Sequence, residues 1–320
     1  MISRDPPALV EEARKGSRTA LARLLTYVES GGENQRATAA LAYAAPAPWT
    51  VGLTGPPGAG KSTLTDQLIS TALARGSFDG SAAFSQVGVL CVDPSSPFTG
   101  GAILGDRIRM QEHATNPAVY IRSLATRGHL GGLSLAVPDA LRVLGVAGFT
   151  LALVETVGVG QMEVDIAAAA DTTVVVTNPG WGDAMQANKA GLLEVADIFV
   201  INKADRPGVR ETRRDLEQML DLGGERDWRP LIVETVASDG TGTNDLFDAL
   251  VAHRQYLESG PLTEARRTRA EATLNSVLAA TLRQRVTDLE SGSSYRAQVD
   301  DLLAGRTDPY RAADTLLGSA

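Results

Sequence analysis

The stretch "WTVGLTGPPGAGKST", residues 49 to 63, decides how the rest of this chain is read. An apolar run, "WTVGLT", enters a turn of glycine and proline, and the turn opens into "KSTLTDQLISTALAR", which has helical character. Residues 55–62, "GPPGAGKS", fit the pattern G-x-x-x-x-G-K-S between a strand and a helix, the context that pattern needs to cradle phosphate. Gly55, Gly58 and Gly60 let backbone N–H groups curl around phosphate oxygens. Pro56, Pro57, Ala59 and Thr63 complete the loop, and the helix N-terminus adds favourable partial charge. Lys61 is expected to reach the β- and γ-phosphates, and the Ser62 hydroxyl to ligate Mg²⁺.

Outward from this loop, short apolar runs alternate with longer amphipathic stretches. The runs are 49–54, "QVGVLCV" (86–92), "AVYIR" (118–122), "FTLALVE" (149–155), "TTVVVT" (172–177), "IFVIN" (198–202) and "PLIVETV" (230–236). Runs this apolar, without polar alternation, predict strands buried on both faces, hence a mainly parallel sheet flanked by helices. The fold expected is an α/β P-loop NTPase with helical N- and C-terminal extensions. The divisions expected are a helical extension over 1–45, the nucleotide-binding domain over 46–256 and a helical region over 257–320. In the last region "LTEARRTRAEATLNSVLAATLRQRVTDLE" reads as one long helix. Ala272, Leu274, Val277, Leu278 and Leu282 make its surface too apolar to stand alone. It either packs on its own domain or dimerises.

Composition narrows the function classes. Apolar residues are 43% of the 320 and a formal net charge of −8 argues against general nucleic-acid binding, which needs a basic face. No apolar stretch approaches a membrane span, and the N-terminus lacks the apolar core of a signal peptide, so a cytoplasmic location is expected. The single cysteine, Cys91, sits in an apolar run and reads as a small buried hydrophobe. His113, His129 and His253 are scattered without metal-ligand spacing.

The base is specified by "NKAD", residues 202–205, at the end of an apolar run roughly 140 residues after the phosphate loop. A carboxylate at Asp205 can accept from both N1–H and the 2-amino group of guanine, donors that adenine lacks. Lys203 can lay its stem along the base while Asn202 braces the loops. Ala237, Ser238 and Asp239, in "ASDG" after the next run, suit a loop whose backbone N–H meets the guanine carbonyl oxygen.

Two further segments carry carboxylates at strand ends. In "ETVGVGQMEVD" (155–165) Glu155 is placed to approach Mg²⁺ and Gly158 to sense the γ-phosphate. Gln161 is either the group that orients the attacking water or a solvated loop residue. In "VDPSSPFTGGAILGDRIRM" (92–110) Asp93 ends the second parallel strand, where ligands of doubly wound sheets sit. Asp106 is a candidate cap for the helix that "RIRMQEH" begins. Glycines and little apolar surface suit a segment that reorganises between nucleotide states.

With these pieces together the chain resembles the MeaB family, once labelled ArgK, whose members are relatives of the methylmalonic aciduria type A protein. Besides the segments quoted, the resemblance rests on "RSLATRGHLGGLS" (122–134), "NPGWGDAMQANKAGLLEVADIFVINKAD" (178–205) and "DPYRAADTLL" (308–317). It implies a GTPase chaperone that gates cofactor loading and protects an adenosylcobalamin-dependent acyl-CoA mutase, by default methylmalonyl-CoA mutase. It also implies a homodimer made through C-terminal helices, with Ser62, Asp93, Asp106 and Glu155 around Mg²⁺. Gln186 and Lys189 then belong to a third switch, although Met162 departs from the small residue usual after "GVGQ". Two rival readings are a small-molecule kinase, which needs an acceptor pocket, and a nickel metallochaperone, which needs a Cys/His cluster.

Overall fold

The computed structural model describes residues 4–78, 86–93, 113, 115–125, 136–156, 166–180, 194–224 and 226–318. Of the expected site residues, Asp106, Gly158, Gln161, Gln186 and Lys189 lie outside these. The described chain divides into two compact units, Met1–Arg269 and Ala270–Ala320.

In the first unit the strands are β1 (Trp49–Thr54), β2 (Val87–Asp93), β3 (Val119–Ala125), β4 (Leu151–Thr156), β5 (Thr172–Thr177), β6 (Ile198–Asn202) and β7 (Leu231–Thr235). They form a seven-stranded sheet in the order β3-β2-β4-β1-β5-β6-β7, every neighbouring pair parallel. The continuous apolar runs are therefore strands of a parallel sheet covered by helices. Five of them, β1, β2, β4, β5 and β6, are buried along their whole length. The expectation of burial on both faces fails at the two edges. Leu231 and Glu234 of β7 are exposed and Ile121, Arg122 and Ser123 of β3 are half-buried, because each edge strand has a neighbour on one side only.

Helices α4 (Lys61–Arg75) and α7 (Thr243–Glu258) cover one face, where Leu64, Leu68 and Ile69 meet Val51, Leu53, Val89, Leu246 and Phe247. The other face carries α1 (Pro6–Arg14), α2 (Arg18–Ser30), α3 (Gly32–Ala42) and α5 (Ala136–Val146). There Leu9, Leu24 and Leu25 share a core with Leu90, Val92 and Leu144. The N-terminal helical stripe is thus three helices; α2 gives way to α3 at Gly31 and Gly32, both with positive φ. Helix α6 (Val209–Leu222) packs Leu216 and Leu220 on Phe199 and Ile201.

The long C-terminal helix, α8 (Leu262–Glu290), is continuous, and the boundary between the units falls within it. The second unit holds its remainder with α9 (Ser293–Leu303) and α10 (Pro309–Gly318). Leu274, Val277, Leu278, Leu282 and Val286 of α8 are exposed, a stripe at helical spacing.

Candidate nucleotide site

Strand order alone places the site. β1 lies between β4 and β5 while the chain leaves it for α4, so the strand order reverses beside the end of β1, where doubly wound sheets bind ligands. The turn there is possible only for glycine at its ends. Gly55 has φ 131°, and a Cβ on it would stand 2.1 Å from the Val176 carbonyl oxygen. Gly60 has φ 95°, and a Cβ would stand 2.3 Å from Asn202 Nδ2. Lys61, the first residue of α4, is buried and folds over the loop, its ammonium donating to the carbonyl oxygens of Gly55 at 2.7 Å and Pro56 at 3.0 Å.

Two strands bring acidic groups to the same end. The register sets Glu155 of β4 beside Leu53 of β1 and Cys91 of β2, with Asp93 two residues beyond Cys91. Both carboxylates are buried. Ser62 Oγ donates to Glu155 Oε1 at 2.6 Å, and Thr65 Oγ1 lies 3.1 Å from Glu155 Oε2. The sequence pattern did not single out Thr65; the signal was its position four residues after Lys61, on the same face of α4. A hydroxyl and two buried carboxylates beside a phosphate loop are the donor set that Mg²⁺ takes, since that ion uses one or two carboxylates and completes its shell with phosphate and water. Among the described residues no group of three or more His, Cys, Asp or Glu forms a cage for a metal.

The guanine motif is tied to the phosphate loop through Asn202. Its Nδ2 donates to Ala59 O at 2.8 Å, while its Oδ1 accepts from Thr235 Oγ1 at 3.1 Å and from Ala237 N–H at 3.0 Å. One buried amide thus joins the ends of β6 and β7 to the loop after β1. Lys203 is the one non-glycine residue with positive φ among the described residues, 59°, a conformation costing about 1 kcal/mol. That turn aims its ammonium at Gly58 O, 2.6 Å away. Between these groups is a cavity of about 180 Å³ lined by Gly60, Thr63, Asn202, Lys203, Asp205, Arg206, Val236, Ala237 and Ser238. Asp205 is exposed at this cavity rather than buried, so its carboxylate would lose water only to a group that covers it. Asp239 points away into a local turn, where the Thr241 N–H at 2.9 Å holds its carboxyl below the usual range.

The comparisons agree with this geometry. A family model described as methylmalonyl Co-A mutase-associated GTPase MeaB matches residues 21–291. The chain belongs to the MeaB family. A GTPase-named protein of Pyrococcus horikoshii is 48% identical over 319 residues, covering 97% of this chain and 96% of that one. The Escherichia coli GTPase ArgK is 35% identical over 80% of this chain and 78% of its own length. The mouse mitochondrial methylmalonic aciduria type A homolog is 32% identical over 95% of this chain and 76% of its own. Among solved structures, a LAO/AO transport system kinase superposes with a TM-score of 0.67 at 25% identity, covering 98% of this chain and 96% of that one. This MeaB-family chain is a P-loop GTPase that binds guanine nucleotide and hydrolyses GTP to GDP and phosphate. No helix among its described residues is long and apolar enough to cross a membrane.

Proposed function

We propose that this MeaB-family GTPase is a magnesium-dependent chaperone of an adenosylcobalamin-dependent acyl-CoA mutase, methylmalonyl-CoA mutase by default. The observation that carries the reading is the family's description as mutase-associated, joined to a phosphate loop and an N-K-x-D motif that meet at the carboxyl ends of the strands. Gly55 to Thr63 would cradle the phosphates, and Lys61 would neutralise charge on the β- and γ-phosphates. Ser62, Asp93 and Glu155, with Asp106, would hold Mg²⁺, which supplies charge neutralisation to the phosphates. Asn202, Lys203 and Asp205 would read the base, Ala237 and Ser238 would close on its carbonyl side, and Asp239 would shape their turn.

Gly158 would sense the γ-phosphate and Gln161 orient water, while Gln186 and Lys189 would carry the nucleotide state to the mutase; these roles rest on sequence pattern. Gln161 lies three positions after Gly158 rather than one, a spacing that suggests an intrinsic rate that waits for a partner. The apolar stripe Leu274, Val277, Leu278 and Leu282 supports a homodimer through α8, and the single buried cysteine, Cys91, suits a cytoplasmic setting.

The test is GTP hydrolysis with and without methylmalonyl-CoA mutase, on protein whose mass is read by light scattering. Stimulation of a dimer, with all γ-phosphate released as inorganic phosphate, is expected. A rate indifferent to any acyl-CoA mutase overturns the chaperone reading, and a phosphorylated small-molecule product would make the chain a kinase.

A further inference from the structure

Helix α2 lies along the open edge of the sheet and grips β3 at both ends. At the amino end Arg18 Nη2 donates to Val119 O at 2.6 Å, and Nη1 reaches Asn116 O at 3.3 Å and Pro117 O at 3.4 Å. The same guanidinium stands 5.4 Å from the centre of the Tyr120 ring. At the carboxyl end Glu29 Oε1 accepts the Ala125 N–H at 3.2 Å, and its Oε2 accepts from Arg122 Nη2 at 2.8 Å. Arg122 also donates to Thr26 Oγ1 at 3.2 Å.

The lengths match. Arg18 to Glu29 spans about 16 Å along a helix, and Val119 to Ala125 about 20 Å along a strand, a difference that two long side chains cover. The signs match too, since a cation meets carbonyl oxygens at one end and a carboxylate meets an N–H at the other. An edge strand normally leaves such groups open, and a covering helix is one way to close them.

The carboxyl-end grip has a functional address. β2 and β3 pair through Val87↔Val119 to Asp93↔Ala125, so the residue whose N–H Glu29 holds is the register partner of Asp93. Glu29 is itself nearly buried, at 11% side-chain exposure, and Asp93 and Ala125 are buried. We infer that Glu29 is a positioning residue for the magnesium carboxylate Asp93: it pins the last residue of the edge strand against α2, and so holds the end of β2 from which Asp93 projects. This inference rests on the magnesium reading of Asp93 given above. It gives the N-terminal helices a task at the nucleotide site, reached through backbone rather than through contact with the ligand.

Three variants and a control test it. Glu29→Met keeps the apolar stem and removes the acceptor, Glu29→Gln restores an acceptor without the charge, and Arg18→Ala releases only the amino end. The readouts are the Mg²⁺ concentration for half-maximal GTP hydrolysis, nucleotide affinity in EDTA, and melting temperature. Glu29→Met should raise the half-saturating Mg²⁺ about fivefold, the factor of one lost hydrogen bond, with affinity in EDTA unchanged. Glu29→Gln should return it to within about twofold of the parent, and Arg18→Ala should lower the melting temperature and leave Mg²⁺ dependence alone. A Glu29→Met protein that melts lower with unaltered Mg²⁺ dependence makes α2 a plain edge cover and overturns the inference. The control is Asp93→Ala: if it leaves Mg²⁺ dependence unaltered, the magnesium reading fails and the inference with it.

Discussion

The two ends of the sheet both bury charge, and they treat it differently. At the carboxyl ends of the strands, Glu155 meets the hydroxyls of Ser62 and Thr65, Lys61 lies on loop carbonyl oxygens, and Asn202 ties three loops together. At the amino ends, Asp171, just before β5, accepts from Arg266 Nε at 3.2 Å and from Arg269 Nη2, while its second oxygen takes the Thr50 N–H at 3.0 Å. Beside it Asp197 Oδ1 faces His253 Nε2 at 3.3 Å and Asp197 Oδ2 takes the Thr173 N–H at 2.7 Å. The Thr172 hydroxyl closes on His253 Nδ1 at 3.0 Å, and Trp228 Nε1 donates to Asp197 O at 2.9 Å.

The groups at the amino end hold one another in fixed pairs on helices α7 and α8. Those at the carboxyl end hang on loops and hydroxyls that an incoming phosphate and cation can replace. A fixed ion pair anchors; an exchangeable one binds. The carboxyl end is therefore where variants should alter nucleotide chemistry, and the amino end where variants should alter stability.

The largest effect should come from Lys61→Ala, which removes the buried cation of the phosphate loop and should weaken GTP by about a thousandfold, read by calorimetry. A loss under about tenfold would mean that the loop binds without its lysine. Next is Asp205→Asn. The amide can donate where the carboxylate only accepts, so preference should swing from guanine to xanthine nucleotide by about a hundredfold, measured by competition. Equal affinity of the parent for ATP and GTP would remove the guanine assignment.

At the amino end, Asp171→Asn leaves two guanidiniums facing an amide. It should cost about 3 kcal/mol in chemical denaturation, with kcat/KM for GTP within about twofold of the parent. A variant that hydrolyses poorly while keeping its stability would reverse the roles assigned to the two ends.

The smallest effect is one of sign. Burial pushes the Asp197 carboxyl up to about 7 and the His253 imidazole down to about 4. Between those values the native pair holds one proton. The unfolded pair also holds one there, on histidine rather than aspartate, so the two contributions cancel and the pair leaves stability flat from about pH 4.5 to 6.5. Asp197→Asn leaves a buried neutral His253 that must charge on unfolding, so stability should rise with pH over that window. His253→Gln leaves Asp197 holding a proton that the unfolded chain has lost, so stability should fall as pH rises from about 4 towards 7. Denaturation midpoints against pH check both slopes, and slopes of the same sign would contradict the pairing.

Much of the binding end was legible in sequence because its chemistry is local. A phosphate loop is eight consecutive residues between a strand and a helix, and the guanine motif is four at a strand end. Glu155 and Asp93 could be placed because apolar runs mark where parallel strands stop. The anchoring end was not legible, since Asp171 meets Arg269 across 98 residues and neither sits in a motif. Glu29 and Arg122, 93 residues apart, are no more legible as a pair, since Glu29 lies in the helical extension and Arg122 at the end of an apolar run, with no pattern joining them. Thr65 was overlooked for a different reason: a threonine inside a helix looks ordinary until the fold brings a carboxylate to it. The exposure of Asp205 also escaped the pattern, which specifies hydrogen-bonding groups and says nothing of solvent.

The most direct test of the division between the two ends is GTP hydrolysis by Glu155→Ala under a magnesium titration, with denaturation measured on the same sample. The account predicts a rate about a hundredfold below the parent at saturating GTP, a higher magnesium requirement and native-like stability. A Glu155→Ala protein that turns over GTP at the parent rate, with the same magnesium dependence, would contradict it.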